Sequence, residues 1–186
     1  MEFNFSFPNR RPDQSPSELW ALQNELLRLA ELELGPRAST KKVYQPTFSQ
    51  CGPILINTPN FDGSFAELGQ NAAGYWPTAV YELAHETVHL LDPKAGYGTW
   101  LEEGIAVAFS VECSALTCHA MAPNSGPYLE ALELVKSLPG TPMAAGKTVR
   151  ERFGNLFTIA PAGLRELFPM ADEQTLVKLC ETCVPR

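Results

Sequence analysis

The sequence predicts an α+β fold that is mainly helical, with a small antiparallel sheet ahead of the central helix. Apolar residues recur at helical spacing in four segments, whereas residues 41–58 have the pattern of short strands. The chain has 186 residues, 45% hydrophobic and 19% charged, which is enough apolar material for one core. We therefore expect a single domain over residues 1–186. Its predicted parts are a helix and sheet at 15–76, two central helices at 77–116 and a helical lobe at 127–186.

The first helix is predicted to begin at Ser15. Ser15 suits the capping position, Pro16 suits the first helical position, and Glu18 would complete a capping box. Leucines at helical spacing follow, and Gly35-Pro36 is expected to end the helix. This helix is interpreted as a packed part of the scaffold.

The predicted sheet follows. Lys42–Gln45 and Gly52–Asn57 are interpreted as short antiparallel strands separated by a loop rich in Pro, Ser and Gln. An exposed edge of this sheet would allow an extended peptide to add as a further strand. Residues 59–76 have no clear period and are predicted as a long loop, with one helical turn around Phe65–Leu68.

Three further helices are predicted in the second half of the chain. The first spans residues 77–91 and ends at Asp92-Pro93. The second, at residues 100–110, is apolar nearly all round after its first turn, and the third spans residues 127–138. Shorter helices are expected to complete the C-terminal lobe.

The helix predicted over residues 77–91 contains the motif His85-Glu86-x-x-His89. Residues four apart lie on one helix face, separated by about 6 Å along the axis, so two imidazoles can bind one ion. Glu86 lies at the edge of that face, where it can accept a proton from a metal-bound water. The motif uses two of only three histidines in the chain. It predicts a zinc site with hydrolytic chemistry.

A catalytic zinc takes three protein ligands and keeps one position open. The continuation H-E-x-x-H-x-x-G-x-x-H would require Gly and His where this chain has Asp92 and Ala95. His119 is the only other histidine, and it is a weak candidate in a loop of Cys, Ala and Pro. Glu102 and Glu103 lie in the first turn of the next predicted helix. Favourable interaction with the helix dipole explains Glu102 well, but explains the pair less well.

The segment Trp100-Leu101-Glu102-Glu103-Gly104-Ile105-Ala106 resembles the W-L-x-E-G-x-A segment of gluzincin metallopeptidases, the broad group of thermolysin and the aminopeptidases. The resemblance covers residues 80–110, with looser agreement to about residue 138. It implies a zincin-like fold and one zinc ion per chain. The implied zinc ligands are His85, His89 and Glu103.

Residues 128–138 resemble the tyrosine-bearing helix of small peptidase-MA-like domains, and gluzincins generally use a Tyr or His to stabilise the oxyanion. The resemblance makes Tyr128 the first candidate for this role, with Tyr97 and His119 as alternatives, although a core tyrosine fits Tyr128 equally well. One position departs from the family pattern. The Asp expected four residues after the glutamate ligand is Val107 here, and Asp92 is an alternative group for orienting a histidine.

The five cysteines allow several interpretations. Four of them could close a second, structural metal site, form disulfides, or remain buried free thiols, and the sequence leaves the choice open. These four are Cys113, Cys118, Cys180 and Cys183.

Charge and hydropathy restrict the partners. The net charge is −7 and Lys and Arg do not cluster, which argues against a nucleic-acid partner. The N-terminal residues lack the basic start and apolar run of a signal peptide, and no stretch reaches the roughly 18 apolar residues of a membrane span. We therefore expect a cytoplasmic protein without a membrane partner.

The predicted function is zinc-dependent hydrolysis of peptide bonds in a peptide or protein substrate. Two alternatives remain at this point. One is a zinc-stabilised binding or regulatory module without peptidase activity, and the other is a non-peptidase zinc hydrolase that uses the same water chemistry. The sequence does not define the cleavage specificity or the oligomeric state.

Overall fold

Eight α-helices, one short 3-10 helix (Pro12–Gln14) and one four-stranded sheet lie within residues 2–37 and 40–184, the part of the chain that a computed structural model describes. Met1, Ala38, Ser39, Pro185 and Arg186 lie outside the described residues. The class is mixed and mainly helical, as predicted. The elements are α1 (Pro16–Leu34), β1 (Lys42–Val43), β2 (Thr47–Phe48), β3 (Ile54–Asn57), β4 (Gly63–Leu68), α2 (Gln70–Gly74), α3 (Trp76–Leu91), α4 (Trp100–Leu116), α5 (Gly126–Lys136), α6 (Pro142–Phe153), α7 (Pro161–Leu167) and α8 (Glu173–Cys180).

The sheet is organised around β4. Ser64 pairs with Val43 of β1 and with Asn57 of β3, so β1 and β3 lie on opposite edges of β4. β2 extends the edge that β1 begins. β1 and β2 run parallel to β4, and β3 runs antiparallel to it, so the prediction of an antiparallel sheet is wrong for two of the three pairings. The direction of β1 and β2 depends on β4, which the sequence pattern did not reveal.

β4 lies in the segment for which we predicted a loop with a helical turn at Phe65–Leu68, and that prediction is wrong. Ser64, Ala66 and Leu68 alternate along β4 and are fully buried. Ser and Ala have little intrinsic preference for strands, so pairing on both edges, together with packing of this face, determines the conformation.

Helix α3, which contains the motif, is packed against other elements on several sides. It contacts α1, α2, α4, β3 and β4. Val80, Leu83 and Ala84 are completely buried. Gln23 of α1 donates a buried hydrogen bond to Thr87 (2.9 Å), whose hydroxyl donates to the Leu83 carbonyl (2.6 Å). Because α3 is held on several sides, the side chains of its motif project from a fixed frame.

Helix α5 packs unusually close to α4. A β-carbon added to Gly104 would lie 2.4 Å from the Ala131 carbonyl oxygen and 2.5 Å from Val135 Cγ1. Only glycine permits this approach of the two backbones. The contact brings the first turn of α5, which contains Tyr128, towards the metal-binding motif.

The helix ends only partly follow the expected capping chemistry. Ser15 precedes α1 but makes no side-chain capping bond, and Glu18 instead accepts a hydrogen bond from the Ser17 hydroxyl (2.7 Å). The predicted capping box is therefore not formed. At α4, by contrast, the Thr99 hydroxyl accepts a hydrogen bond from the Glu102 amide (3.2 Å). This cap fixes the first turn of the helix that contains the two adjacent glutamates.

The C-terminal segment, Glu181–Cys183, pairs with the residues that lead into α4. The Trp100 amide donates to the Glu181 carbonyl (3.0 Å), and the Cys183 amide donates to the Gly98 carbonyl (2.9 Å). Thr99 and Thr182 form an antiparallel bridge between these bonds. Residues 98–100, which lead into α4, are thus held by backbone hydrogen bonds to residues near the C-terminal end of the described chain. None of the described helices is long and apolar enough to cross a membrane.

Candidate metal centre

Three side chains from two helices converge at one point. His85 and His89 lie one turn apart on α3, and Glu103 lies in the first turn of α4. One ligand atom from each lies within 4.8 Å of the other two. Among the described residues, this is the only group of three or more His, Cys, Asp or Glu side chains close enough to hold a metal ion.

The separations within this triad fit a tetrahedral ion. Zinc holds nitrogen and oxygen ligands at about 2.0 to 2.2 Å, so two tetrahedral ligands lie roughly 3.3 to 3.5 Å apart. The two imidazole Nε2 atoms are 3.2 Å apart. Glu103 carboxylate oxygens lie 3.2 Å from His85 Nε2 and 3.7 Å from His89 Nε2. Two imidazoles and one carboxylate are also a ligand set that zinc accepts.

Glu102 orients one of the histidines. His89 Nδ1 lies 3.0 Å from a Glu102 carboxylate oxygen. Nδ1 donates this hydrogen bond to the carboxylate oxygen, so Nε2 is the ring nitrogen that faces the other two side chains of the triad. Lys94 Nζ lies 3.5 Å from the other Glu102 oxygen and partly balances its buried charge.

The alternative orienting group, Asp92, is engaged elsewhere. Its carboxylate lies 3.0 Å from Arg150 Nε. The same guanidinium also donates to the carbonyls of Leu34, Gly35 and Pro36. Asp92 therefore anchors the end of α3 to α1 and α6, and Glu102 takes the role for which Asp92 was considered.

The charges in the triad reinforce one another. Burial acts to lower the pKa of His89, but the Glu103 carboxylate and the hydrogen bond to Glu102 outweigh it and hold this pKa well above its ordinary value. Burial acts to raise the pKa of Glu103, yet the two imidazoles hold it below its usual range. Glu103 is therefore an anion, and its charge attracts a cation to this position.

Glu86 lies beside the triad without belonging to it. Only 3% of its surface is exposed, and it lines the same cleft as His85. Burial raises the pKa of the Glu86 carboxyl above its ordinary value. A carboxylate whose basicity has been increased in this way is suited to accept a proton.

Tyr128 is the candidate oxyanion residue that lies closest to the triad. Its ring packs edge-on against His85 with centroids 5.4 Å apart, and it lines the cleft. Burial, followed by the charges of Glu103 and Glu86, raises the pKa of the Tyr128 hydroxyl, which therefore stays protonated and can donate a hydrogen bond.

The other two oxyanion candidates are placed differently. Tyr97 also lines the cleft, but 62% of its surface is exposed. His119 lies in a separate groove, where Nδ1 is 3.4 Å from the Tyr75 hydroxyl and the ring packs near Phe7. The structure thus brings Tyr128 and Tyr97 to the cleft, and places His119 outside it.

The cysteines do not form a second metal cluster among the described residues, and all five are free thiols. Burial raises the pKa of Cys180 and of Cys183 to about 11. It also raises the pKa of Cys113. These three are therefore thiols at neutral pH, whereas metals bind the thiolate.

The triad opens into a cleft of about 520 Å³. One wall is formed by β3 and the residues before it, including Cys51, Pro53 and Ile54. The connection from α3 to α4, including Lys94 and Tyr97, forms another part of the lining. It is joined to β3 by a hydrogen bond from the Asn57 side-chain amide to the Lys94 carbonyl (2.8 Å). This volume is in the range of sites for small ligands or short segments of chain.

Three residues of the centre were not identified from the sequence. They are Glu102 as the orienting group, Lys94 as its counter-ion, and Gly98. A β-carbon at Gly98 would lie 2.6 Å from a Glu103 oxygen and 2.8 Å from a Glu102 oxygen. The adjacent glutamate pair was the one signal for Glu102, whereas nothing local distinguishes Lys94 or Gly98. Comparison of the chain with protein-family models, curated proteins and solved structures found no match.

Proposed function

We propose that this protein is a zinc-dependent metallopeptidase with the gluzincin arrangement of ligands. The observation that carries the proposal is the tetrahedral spacing of His85, His89 and Glu103, with Glu86 buried beside them at the floor of an open cleft. A zinc ion bound there polarises a carbonyl group and lowers the pKa of water. The proposed substrate class is a peptide or an unfolded segment of protein.

Glu86 is the proposed general base. It accepts a proton from the attacking water and then donates that proton to the amine that leaves when the C–N bond breaks. Tyr128 donates a hydrogen bond to the oxygen on which negative charge develops. Glu102 holds His89 in the tautomer that leaves Nε2 available.

The unpaired edge of β3 supports peptide as the substrate. Among the described strands, β3 pairs only with β4, and Ile54, Leu55 and Asn57 of β3 line the cleft. An extended segment can add to such an edge through backbone hydrogen bonds, whatever its side chains.

Replacing Glu86 with Gln tests the proposed role. We expect the E86Q variant to bind one zinc per chain, as the parent does, and to lose at least about 100-fold in kcat/KM because the base is removed. Metal content and hydrolysis of a peptide library are measured together, with E130Q on the exposed surface of α5 as the matched control. Parent-like activity in E86Q would remove Glu86 from the mechanism. Stoichiometric zinc without hydrolysis by the parent would favour a zinc-stabilised binding module.

A further inference from the structure

The side chains that line the cleft contain no free charge for recognising a chain terminus. Six of the described lining residues are ionisable by type, besides Cys51 and two tyrosines: His85, Glu86, His89, Lys94, Glu102 and Glu103. Both histidines and Glu103 form the triad, Glu102 is bonded to His89, and Glu86 lies deep beside them. Glu103 thus belongs to the triad, Glu102 is bonded to His89, and Glu86 is the proposed base, so each acidic group already has an assigned role.

Lys94 is the one cationic side chain in the lining other than the histidines, and it is also engaged. Its ammonium group donates to the Tyr97 carbonyl, lies 3.5 Å from Glu102, and sits 4.9 Å from the centroid of the Phe157 ring. Its side chain is only 21% exposed. The Lys94 ammonium group therefore already has partners within the protein and is not available to pair with a charged ligand.

The absence of an unpaired charge from the described lining affects whether the site can select terminal or internal peptide bonds. An enzyme that removes terminal residues has to distinguish a charged α-amino or α-carboxylate group from an internal amide. Charge-assisted hydrogen bonds to an opposite charge give the strongest discrimination. The described lining offers no such partner, whereas the unpaired edge of β3 offers bonds that any internal segment can make.

The cleft walls instead present apolar surface. Ile54 on β3 is 46% exposed, and Tyr97 on the connection from α3 to α4 is 62% exposed. Pro53 and Leu55 extend the apolar wall on the β3 side. Exposed apolar side chains that line a cavity are typical of binding surfaces, because a ligand that covers them removes them from water.

We propose, on the basis of the metallopeptidase function above, that the protein is an endopeptidase that cleaves internal bonds flanked by an apolar side chain. The substrate lies extended along β3, and an apolar side chain beside the scissile bond packs against Ile54 and Tyr97. Water adds to an internal carbonyl, the C–N bond breaks, and the new amine takes the proton. Both products are therefore shorter peptides, and neither is a single terminal residue.

The first experiment compares peptides that differ only at their ends. Zinc-loaded protein is incubated with an internally quenched peptide in three forms: blocked at both ends, with a free amino terminus, and with a free carboxyl terminus. We expect kcat/KM to agree among the three forms within about threefold, with cleavage beside a Leu or Phe identified by mass spectrometry. Cleavage that requires a free terminus would overturn the endopeptidase inference while leaving the metallopeptidase proposal intact. Failure to cleave any peptide would overturn both.

The second experiment tests the apolar walls. I54S and Y97S should each lower kcat/KM for a peptide with Leu beside the scissile bond by at least about tenfold, with unchanged zinc content. F61S is the matched control, since Phe61 is similarly exposed (57%) and does not line the cleft. Equal rates in I54S, Y97S and the parent would overturn the proposed contact.

Discussion

Two adjacent glutamates, Glu102 and Glu103, have different contacts at the candidate metal centre. Glu103 faces both imidazoles, whereas Glu102 contacts Nδ1 of His89, on the side of the ring away from the triad, and lies near Lys94. Both are nearly buried, at 7% and 3% exposure. Burying two carboxylates side by side is costly unless each has a partner. Each has one here, so the pair is compatible with a folded, metal-free chain and is ready to bind a cation.

Removing the orienting carboxylate should weaken zinc binding without eliminating it. We expect E102A to raise the zinc dissociation constant by about 10- to 100-fold, because His89 loses the bond that fixes its tautomer and ring orientation. Competition with a chromophoric chelator measures the constant. E166A, on the exposed face of α7, is the control and should behave as the parent. If the affinity of E102A equals that of the parent, the bond to His89 does not orient the ligand.

The sequence was informative about these residues to different degrees. The spacing of His85 and His89 is a local property of one helix, so the pair and Glu86 could be predicted directly. Glu103 required the family resemblance as well. The role of Glu102 could not be predicted, because which of two neighbouring carboxylates meets His89 depends on how α4 is rotated against α3. Packing between distant segments sets that rotation.

The contact between α4 and α5 is one of those packing constraints. G104A should lower the free energy of unfolding by about 1 to 3 kcal/mol, because the added β-carbon cannot fit against Ala131 and Val135 without separating the helices. Urea unfolding in the presence of a chelator measures this change without the contribution of zinc. G74A is the matched control, since a β-carbon at Gly74 would meet nothing within 4 Å. A parent-like midpoint for G104A would show that the helix pair adjusts freely.

At the level of elements, helices were predicted better than strands. The helical period of α1, α3, α4 and α5 lies within each segment, so the sequence predicted all four helices. The ends of α1, α3 and α5 are correct to within two residues, whereas α4 continues to Leu116, six residues beyond its predicted end. In β4 the buried positions are Ser, Ala and Leu, which form only a short alternating pattern. The conformation of this strand depends on pairing at both of its edges. The parallel direction of β1 and β2 follows from β4 and could not be predicted without it.

Across the whole molecule, the candidate metal site is formed by two helices that also contribute much of the core. α3 and α4 contribute many of the fully buried side chains, and a bound ion would connect them directly. Binding to the folded state alone adds about 2.7 kcal/mol at a free zinc concentration of 100 times the dissociation constant. For a chain of this size that corresponds to a rise in Tm of about 5 to 11 °C.

A thermal melt with and without a strong chelator measures this rise. Zinc should raise the Tm of the parent and leave H85A unchanged, because that variant lacks one of the three ligands. A zinc-induced shift of the same size in H85A would place the ion elsewhere on the chain. Differential scanning calorimetry separates the two outcomes, since it reports the transition directly.

The pairing of Glu181–Cys183 with residues 98–100 has a consequence for the order in which the centre matures. During synthesis, the ribosome releases both histidines and Glu103 long before it releases the segment that supports the approach to α4. A nascent chain that stops short of Glu181 therefore carries every ligand without the backing of Gly98 and Trp100. We expect the approach to α4 to gain its final rigidity only after Cys183 has left the ribosome.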